Sequence, residues 1–156
     1  MYELTNLDVI IRLSVSLICG LMIGFERQIN NSIAGIHTNV LVCIGSCLFV
    51  FVSYGINELN SPSRIAAQVV TGVGFLGSGV IIKDSSQIKG VNTAATLWVS
   101  AAVGCICGSG LWLTGICSSI VVSILNYILR ENHVRIFLKF MNIEKEKKEE
   151  NIDTQV

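Results

Sequence analysis

Long apolar runs separated by short polar segments occupy most of this chain. The first run covers about residues 7–25, the second about 38–56, and the third about 62–82. The third opens with Ser61 and Pro62, a pair suited to the first positions of a helix. Because a membrane-spanning helix needs about 20 apolar residues, the pattern predicts three such helices here.

The second half of the chain contains a longer uncharged run, residues 94–129. As one helix its 36 residues would measure about 54 Å, well beyond a hydrocarbon core of about 30 Å. We therefore expect it to fold back at Gly108-Ser109-Gly110, which gives a fourth span at 93–109 and a fifth at 111–129. Residues 83–91 are expected to form a loop, after which Asn92 or Thr93 caps the fourth helix.

The predicted fold class is an all-α, polytopic transmembrane helix bundle of about five spans. Its composition agrees, since 51% of the residues are hydrophobic and only 14% are charged. Residues 1–130 form the predicted transmembrane domain, and residues 131–156 a short charged cytoplasmic tail, amphipathic and then disordered. Lys and Arg concentrate in segments that lie on one side if the N-terminus is outside, so the positive-inside rule predicts an N-out, C-in orientation.

An internal repeat is suggested when the chain is aligned with itself at an offset of 55 residues. Each copy is a helix, a loop and the motif I-x-G-[IV]-x-T, which opens the following helix. The copies run in the same direction, so we expect a parallel repeat relating spans 1-2 to spans 3-4. A chance similarity between apolar segments is the alternative. The matched pairs are Gly24 and Gly79, Ile33 and Ile88, Gly35 and Gly90, Ile36 and Val91, and Thr38 and Thr93.

Polar residues at the ends of the spans suggest two clusters, one at each membrane face. Ionisable groups inside a membrane are costly and are functional candidates, although paired structural anchors are the alternative interpretation. Asp8 and Arg12 are spaced for an ion pair within one helix. The inner cluster comprises Glu26, Arg27, His37, Thr38, Asp84, Asn92, Thr93 and Thr96, and the outer cluster comprises Asp8, Arg12, Glu58, Arg64 and Gln68.

Small residues recur at helical spacing and predict close helix packing or an interface. The densest group has four glycines within eight residues, a poor choice for a soluble helix. A homodimer through these glycines is a candidate assembly that substitution of Gly77 by Leu should weaken. The glycines are Gly20, Gly24, Gly72, Gly74, Gly77, Gly79, Gly104 and Gly108.

No sequence motif of an enzyme is present. The chain lacks G-x-S-x-G, H-E-x-x-H, the Walker phosphate loop and the dinucleotide fingerprint. The six cysteines lie in apolar runs without C-x-x-C spacing, so we expect them to be packing residues. We therefore predict a non-enzymatic protein with no cofactor and no metal site, whose surroundings are the lipid bilayer and which binds no nucleic acid.

Four segments together resemble the signature segments of MgtC/SapB membrane proteins. They are GLMIGFERQ at 20–28, AGIHT at 34–38, RIAAQVVTGVGFLGSGVI at 64–81 and GVNTAATLW at 90–98. The resemblance implies a multi-pass protein of the bacterial cytoplasmic (inner) membrane. Its signature positions correspond here to Glu26, Arg27, Gly35, Thr38, Arg64, Gln68, Gly72, Gly74, Gly77, Gly79, Asn92, Thr93 and Trp98.

The resemblance further implies a role in growth at low magnesium, in which the protein restrains the membrane sector of F-type ATP synthase. Known virulence members continue into a folded cytoplasmic domain, whereas about 26 residues follow Arg130 here. We therefore expect a short SapB-like member that lacks that domain. The alternative function is a transporter or channel for a cation or small solute through the polar cluster at the repeat interface.

Overall fold

The computed structural model describes residues 5–55, 61–84 and 87–129. Within these residues the chain forms five helices and a small hairpin. The elements are α1 (Asn6–Ile29), α2 (Ile36–Gly55), α3 (Ser61–Gly79), β1 (Ile82–Asp84), β2 (Gln87–Lys89), α4 (Val91–Gly108) and α5 (Trp112–Ile128). The prediction of an all-α membrane helix bundle is confirmed, and the predicted tail at 131–156 lies outside the described residues.

Three of the described helices have the length and composition of a membrane span, namely α1, residues Ile36–Tyr54 of α2, and α4. Helix α5 is apolar but shorter, and α3 is not among the three. The sequence of α3 explains this, because glycines, Gln68, Thr71 and Ser78 replace the Leu and Ile of the other helices. The number of five spans therefore stays a prediction.

Helix α1 begins at a capping box, in which the N–H of Thr5 donates to the carboxylate of Asp8 at 3.3 Å. The hydroxyl of Thr5 bonds to the same carboxylate oxygen. These contacts satisfy a backbone donor that the first turn of a helix leaves free. The carboxylate of Asp8 is thus engaged in starting the helix.

Two expectations about the segment between α3 and α4 were wrong. Residues 83–91 are not an open loop, because β1 and β2 pair as an antiparallel hairpin in which Lys83 is opposite Ile88. Neither Asn92 nor Thr93 caps α4; the N-cap is Gly90, with φ +91°. The hairpin brings this residue so close to Val80 that a Cβ would lie 1.9 Å from the carbonyl oxygen of Val80, so glycine is required.

The core is formed where α2 and α4 pack against each other and against α1 and α3. One buried cluster joins Val42 of α2, Val69 and Val73 of α3, and Leu97 and Ala101 of α4. A second cluster joins α1, α2 and α4 and is rich in thiols. It contains Cys19, Ile23, Cys43, Val103 and Cys107.

The chain divides into two compact units, residues 1–123 and residues 124–156. All the packing just described belongs to the first unit. Of the second unit, residues 124–129 are described, and they form the last turn of α5 and the residue after it. The predicted repeat stays a prediction. One of its matched pairs, Gly35 and Gly90, does occupy equivalent positions, because each glycine directly precedes a helix.

Candidate functional site

Glu26 and Arg27 form a largely buried pair at the predicted cytoplasmic end of α1. Nη1 of Arg27 lies 3.8 Å from Oε2 of Glu26, and the two side chains are only 8% and 11% exposed. Oε1 of Glu26 accepts from the amide of Asn30. Oε2 of Glu26 and Nε of Arg27, however, have no hydrogen-bond partner among the described residues. The pair therefore retains polar groups that a ligand or partner could satisfy.

The other members of the predicted inner cluster lie in different places. Asp84 binds Nζ of Lys89 at 2.8 Å on the exposed hairpin. Thr93 and Thr96 are buried, and the hydroxyl of Thr96 donates to the carbonyl of Asn92, whose side chain is exposed. His37 and Thr38 line a crevice between α2 and α3. Among the described residues, no hydrogen bond or ion pair joins these groups into one site.

Asn39 connects the loop before α2 to α4, and it was not among the residues predicted from the sequence. Its side chain is fully buried, and Nδ2 donates to the carbonyls of Ala34 at 3.2 Å and Gly35 at 2.8 Å. Its Oδ1 accepts from the hydroxyl of Ser100 at 2.8 Å. An amide within an otherwise apolar helix was the available signal, because such a group needs partners inside the bundle.

Arg12, assigned to the outer cluster, is buried and makes a structural contact. Its Nη1 donates to the carbonyl of Gly108 at 2.8 Å, at the C-terminus of α4. A cation is favourable there because the free carbonyls carry partial negative charge. Asp8 makes its short-range contacts with Thr5, and the attraction predicted between Asp8 and Arg12 acts only at longer range than a direct ion pair.

Of the remaining outer residues, the structure describes Arg64 and Gln68. Arg64 is exposed, and Gln68 lies in the α2–α3 crevice. Glu58 lies outside the described residues. Arg12 is thus an anchor between α1 and α4, and the outer cluster as a whole stays a prediction.

The predicted glycines divide into two groups by what surrounds them. A Cβ on Gly20 would lie 2.8 Å from Cα of Val40, and one on Gly104 would lie 2.1 Å from the carbonyl oxygen of Cys43. A Cβ on Gly24 or Gly108 would be similarly close to α2. A Cβ on Gly77 would lie 3.5 Å from Cβ of Ala94, which is an ordinary contact distance. No described atom lies within 4 Å of a Cβ added at the other three glycines, Gly72, Gly74 and Gly79.

The crevice between α2 and α3 has a volume of about 850 Å³ and is mostly apolar. Its polar side chains are His37, Thr38, Ser46 and Gln68, and no carboxylate is among the described residues that line it. In the part of the chain that the structure describes, no group of three His, Cys, Asp or Glu side chains could hold a metal ion.

The sequence profile of the MgtC family matches residues 13–135, which include the glycine-rich helix α3, the Glu26–Arg27 pair and the crevice. This chain belongs to the MgtC family. Among its relatives, protein MgtC of Brucella abortus is 45% identical over 118 residues, which are 76% of this chain and 50% of the relative. Protein MgtC of Salmonella typhimurium is 42% identical over 127 residues, 81% of this chain and 54% of the relative.

An uncharacterised protein of Synechocystis is 50% identical over 121 residues, 78% of this chain and 52% of that protein. The chain therefore spans about half the length of these MgtC-family relatives. No solved structure matches the chain. The family and the apolar helices together identify a membrane protein of the MgtC type.

Proposed function

We propose that this MgtC-type protein has no enzymatic activity and modulates another protein within the bacterial inner membrane by helix packing. The candidate partner is the membrane sector of F-type ATP synthase, and the physiological setting is adaptation to low magnesium. Both follow from the resemblance to MgtC/SapB proteins. The chain matches about half the length of these relatives, and we assign the proposed role to the part that the sequences share.

The observation that carries this proposal is the open face of α3. Gly74 and Gly79 have no described atom within 4 Å of an added Cβ, and Phe75 between them is 79% exposed. Small residues allow another helix to approach closely, and an exposed aromatic side chain offers it apolar contact area. Gly77 faces Ala94 of α4, so Gly74 replaces it as the expected contact point for a partner or for a second copy of this chain. Gly79 lies about 140° around the helix from Gly74, on the side of Gly72.

The test uses inverted membrane vesicles that contain F-type ATP synthase, with and without the full chain. We expect the chain to reduce ATP-driven proton pumping, measured by quenching of a pH-sensitive dye, and to co-purify with ATP synthase in a mild detergent. Gly74→Leu should restore pumping several-fold, because Leu blocks the open face. Ala102→Leu adds the same bulk on the exposed side of α4 and should leave the inhibition intact.

Unaltered pumping in the presence of the wild-type chain would refute this function. Equal effects of Gly74→Leu and Ala102→Leu would refute the assignment to α3.

A second candidate is solute transport, which the α2–α3 crevice favours because it lies between the two predicted repeats. Its polar side chains could form hydrogen bonds with a small solute that moves along the crevice. Divalent cations such as magnesium need several oxygen ligands, and no carboxylate is present among the described lining residues, so an uncharged or weakly charged solute fits better. Magnesium uptake into proteoliposomes by the wild type would establish transport in place of modulation, and loss of uptake in a His37→Leu, Gln68→Leu double variant would place the path in the crevice.

A further inference from the structure

The crevice between α2 and α3 has the form of a binding site for a hydrocarbon chain. Its floor is Val42, Val69 and Val73, which belong to the buried core, and its walls include Leu41 and Leu76. Its volume of about 850 Å³ lies within the range of roughly 300–1,000 Å³ typical of ligand pockets. Water does not fill apolar space of this kind, because it finds too few hydrogen-bond partners there.

Two glycines create the space. Gly45 of α2 and Gly72 of α3 both line the crevice, and no described atom lies within 4 Å of a Cβ added at either one. Larger residues at these positions would fill the gap between the helices. The crevice therefore results from the choice of glycine at two positions on facing helices.

The length and polarity of the crevice indicate which molecule fits. From His37 to Phe49 it follows α2 for twelve residues, about 18 Å at 1.5 Å per residue. One leaflet of a hydrocarbon core about 30 Å thick is similar in depth. The His37 end lies at the start of α2 and carries two polar side chains, His37 and Thr38, whereas the opposite end holds Phe49 and Ile65, with one amide, Gln68, a turn away from Ile65.

We propose that this crevice binds one phospholipid of the surrounding bilayer. An acyl chain lies along Gly45 and Gly72, and the headgroup lies at His37 and Thr38. The imidazole and the hydroxyl can donate hydrogen bonds to phosphate or ester oxygens. The lipid thus occupies the space between the two predicted repeats, and this site is independent of any protein partner on the open face of α3.

The test reconstitutes the full chain in phosphatidylethanolamine–phosphatidylglycerol vesicles doped with a phospholipid that carries a photoreactive diazirine near the end of its acyl chain. After illumination, mass spectrometry maps the labelled residues. We expect residues of the crevice to be labelled several-fold more than the exposed apolar residues Leu113 and Val121 of α5. Uniform labelling of all exposed apolar residues would overturn the proposal.

Two matched variants locate the site. Gly72→Phe fills the crevice and should lower the crevice labelling several-fold, whereas Gly74→Phe adds the same ring two residues away, outside the crevice, and should not. Both positions have open space, so both variants should retain the thermal stability of the wild type in detergent, which is measured first. Equal labelling of the two variants would refute the assignment.

Variants of His37 and Gln68 distinguish a bound lipid from other molecules that could occupy the crevice. Native mass spectrometry should show a phospholipid retained by the wild type and by Gln68→Leu, and several-fold less retained by His37→Leu. Loss of the occupant in Gln68→Leu would instead indicate a solute with a polar group at that depth. Crosslinks between the crevice and a second copy of the chain would also overturn the lipid proposal.

Discussion

At the scale of single residues, the buried polar side chains act mainly as ties between helices. Arg12 joins α1 to the end of α4, and Asn39 joins the loop before α2 to Ser100. Polar groups inside a bundle are costly unless their hydrogen bonds are satisfied. Glu26 and Arg27 differ, because each retains a buried polar atom without a hydrogen-bond partner among the described residues.

Asn39 and Ser100 should be energetically coupled. Asn39→Leu removes the donor to two carbonyls and should cost about 1–3 kcal/mol of unfolding free energy. A double-mutant cycle with Ser100→Ala should give a coupling of about 0.6 kcal/mol, and at most roughly 1.7, the range found for hydrogen bonds between membrane helices. Equilibrium unfolding in mixed detergent micelles measures these values.

Ser16 provides the control, because it is also fully buried but bonds to Cys43 and not to Asn39. The cycle of Asn39→Leu with Ser16→Ala should give no coupling. A coupling as large as that with Ser100 would show that the effect is general loosening of the core.

At the scale of elements, the sequence predicted where helices occur better than how they begin and connect. Apolar runs located all five helices, and α3 does start at Ser61. Helix α1 continues past residue 25 to Ile29, and α3 ends at Gly79, before the predicted residue 82. The hairpin was missed because β1 and β2 have three residues each, too few for an alternating pattern to be recognised.

Substitution by Ala should lower the stability of the protein at one glycine and raise it at another, although both glycines lie in similar small-residue patterns of the sequence. Gly104→Ala places Cβ 2.1 Å from the carbonyl oxygen of Cys43, and such overpacking costs about 1–3 kcal/mol or more. Gly74→Ala meets no described atom, so the higher helix propensity of Ala should raise stability by about 0.5–1 kcal/mol. Thermal unfolding in detergent measures both. A destabilised Gly74→Ala or an unaffected Gly104→Ala would contradict this packing.

At the scale of the whole molecule, the described bundle is centred on α2 and α4, with α1 and α3 packed against them. Among the surfaces formed by the described residues, the α2–α3 crevice and the open face of α3 are the two candidates for binding other molecules. Described members of the predicted inner cluster lie on different surfaces, with Asp84 on the hairpin and His37 in the crevice, whereas the outer cluster stays a prediction because Glu58 lies outside the described residues.

The membrane topology predicted from charge can be tested by fusions to alkaline phosphatase, which is active only outside the cytoplasm. Fusions within residues 56–60 and 109–111 should be active, and those within 30–35 and 85–86 should be inactive, because Lys and Arg concentrate beside the latter. Activity at 85–86, or inactivity at 56–60, would show that α3 does not cross the membrane. Western blots of the fusions control for expression.

The sequence by itself determined the class of protein, the approximate positions of the helices and the family, because apolar length and local motifs are properties of contiguous residues. Only the tertiary structure decided which glycines are packed and which are open, since that depends on the helix opposite each one. It also decided that Arg12 binds the end of α4, 96 positions away, and that Gly45 and Gly72 face one crevice. The glycine-rich segment of α3 therefore has three sides, one packed on α4 at Gly77, one lining the crevice at Gly72 and one open at Gly74.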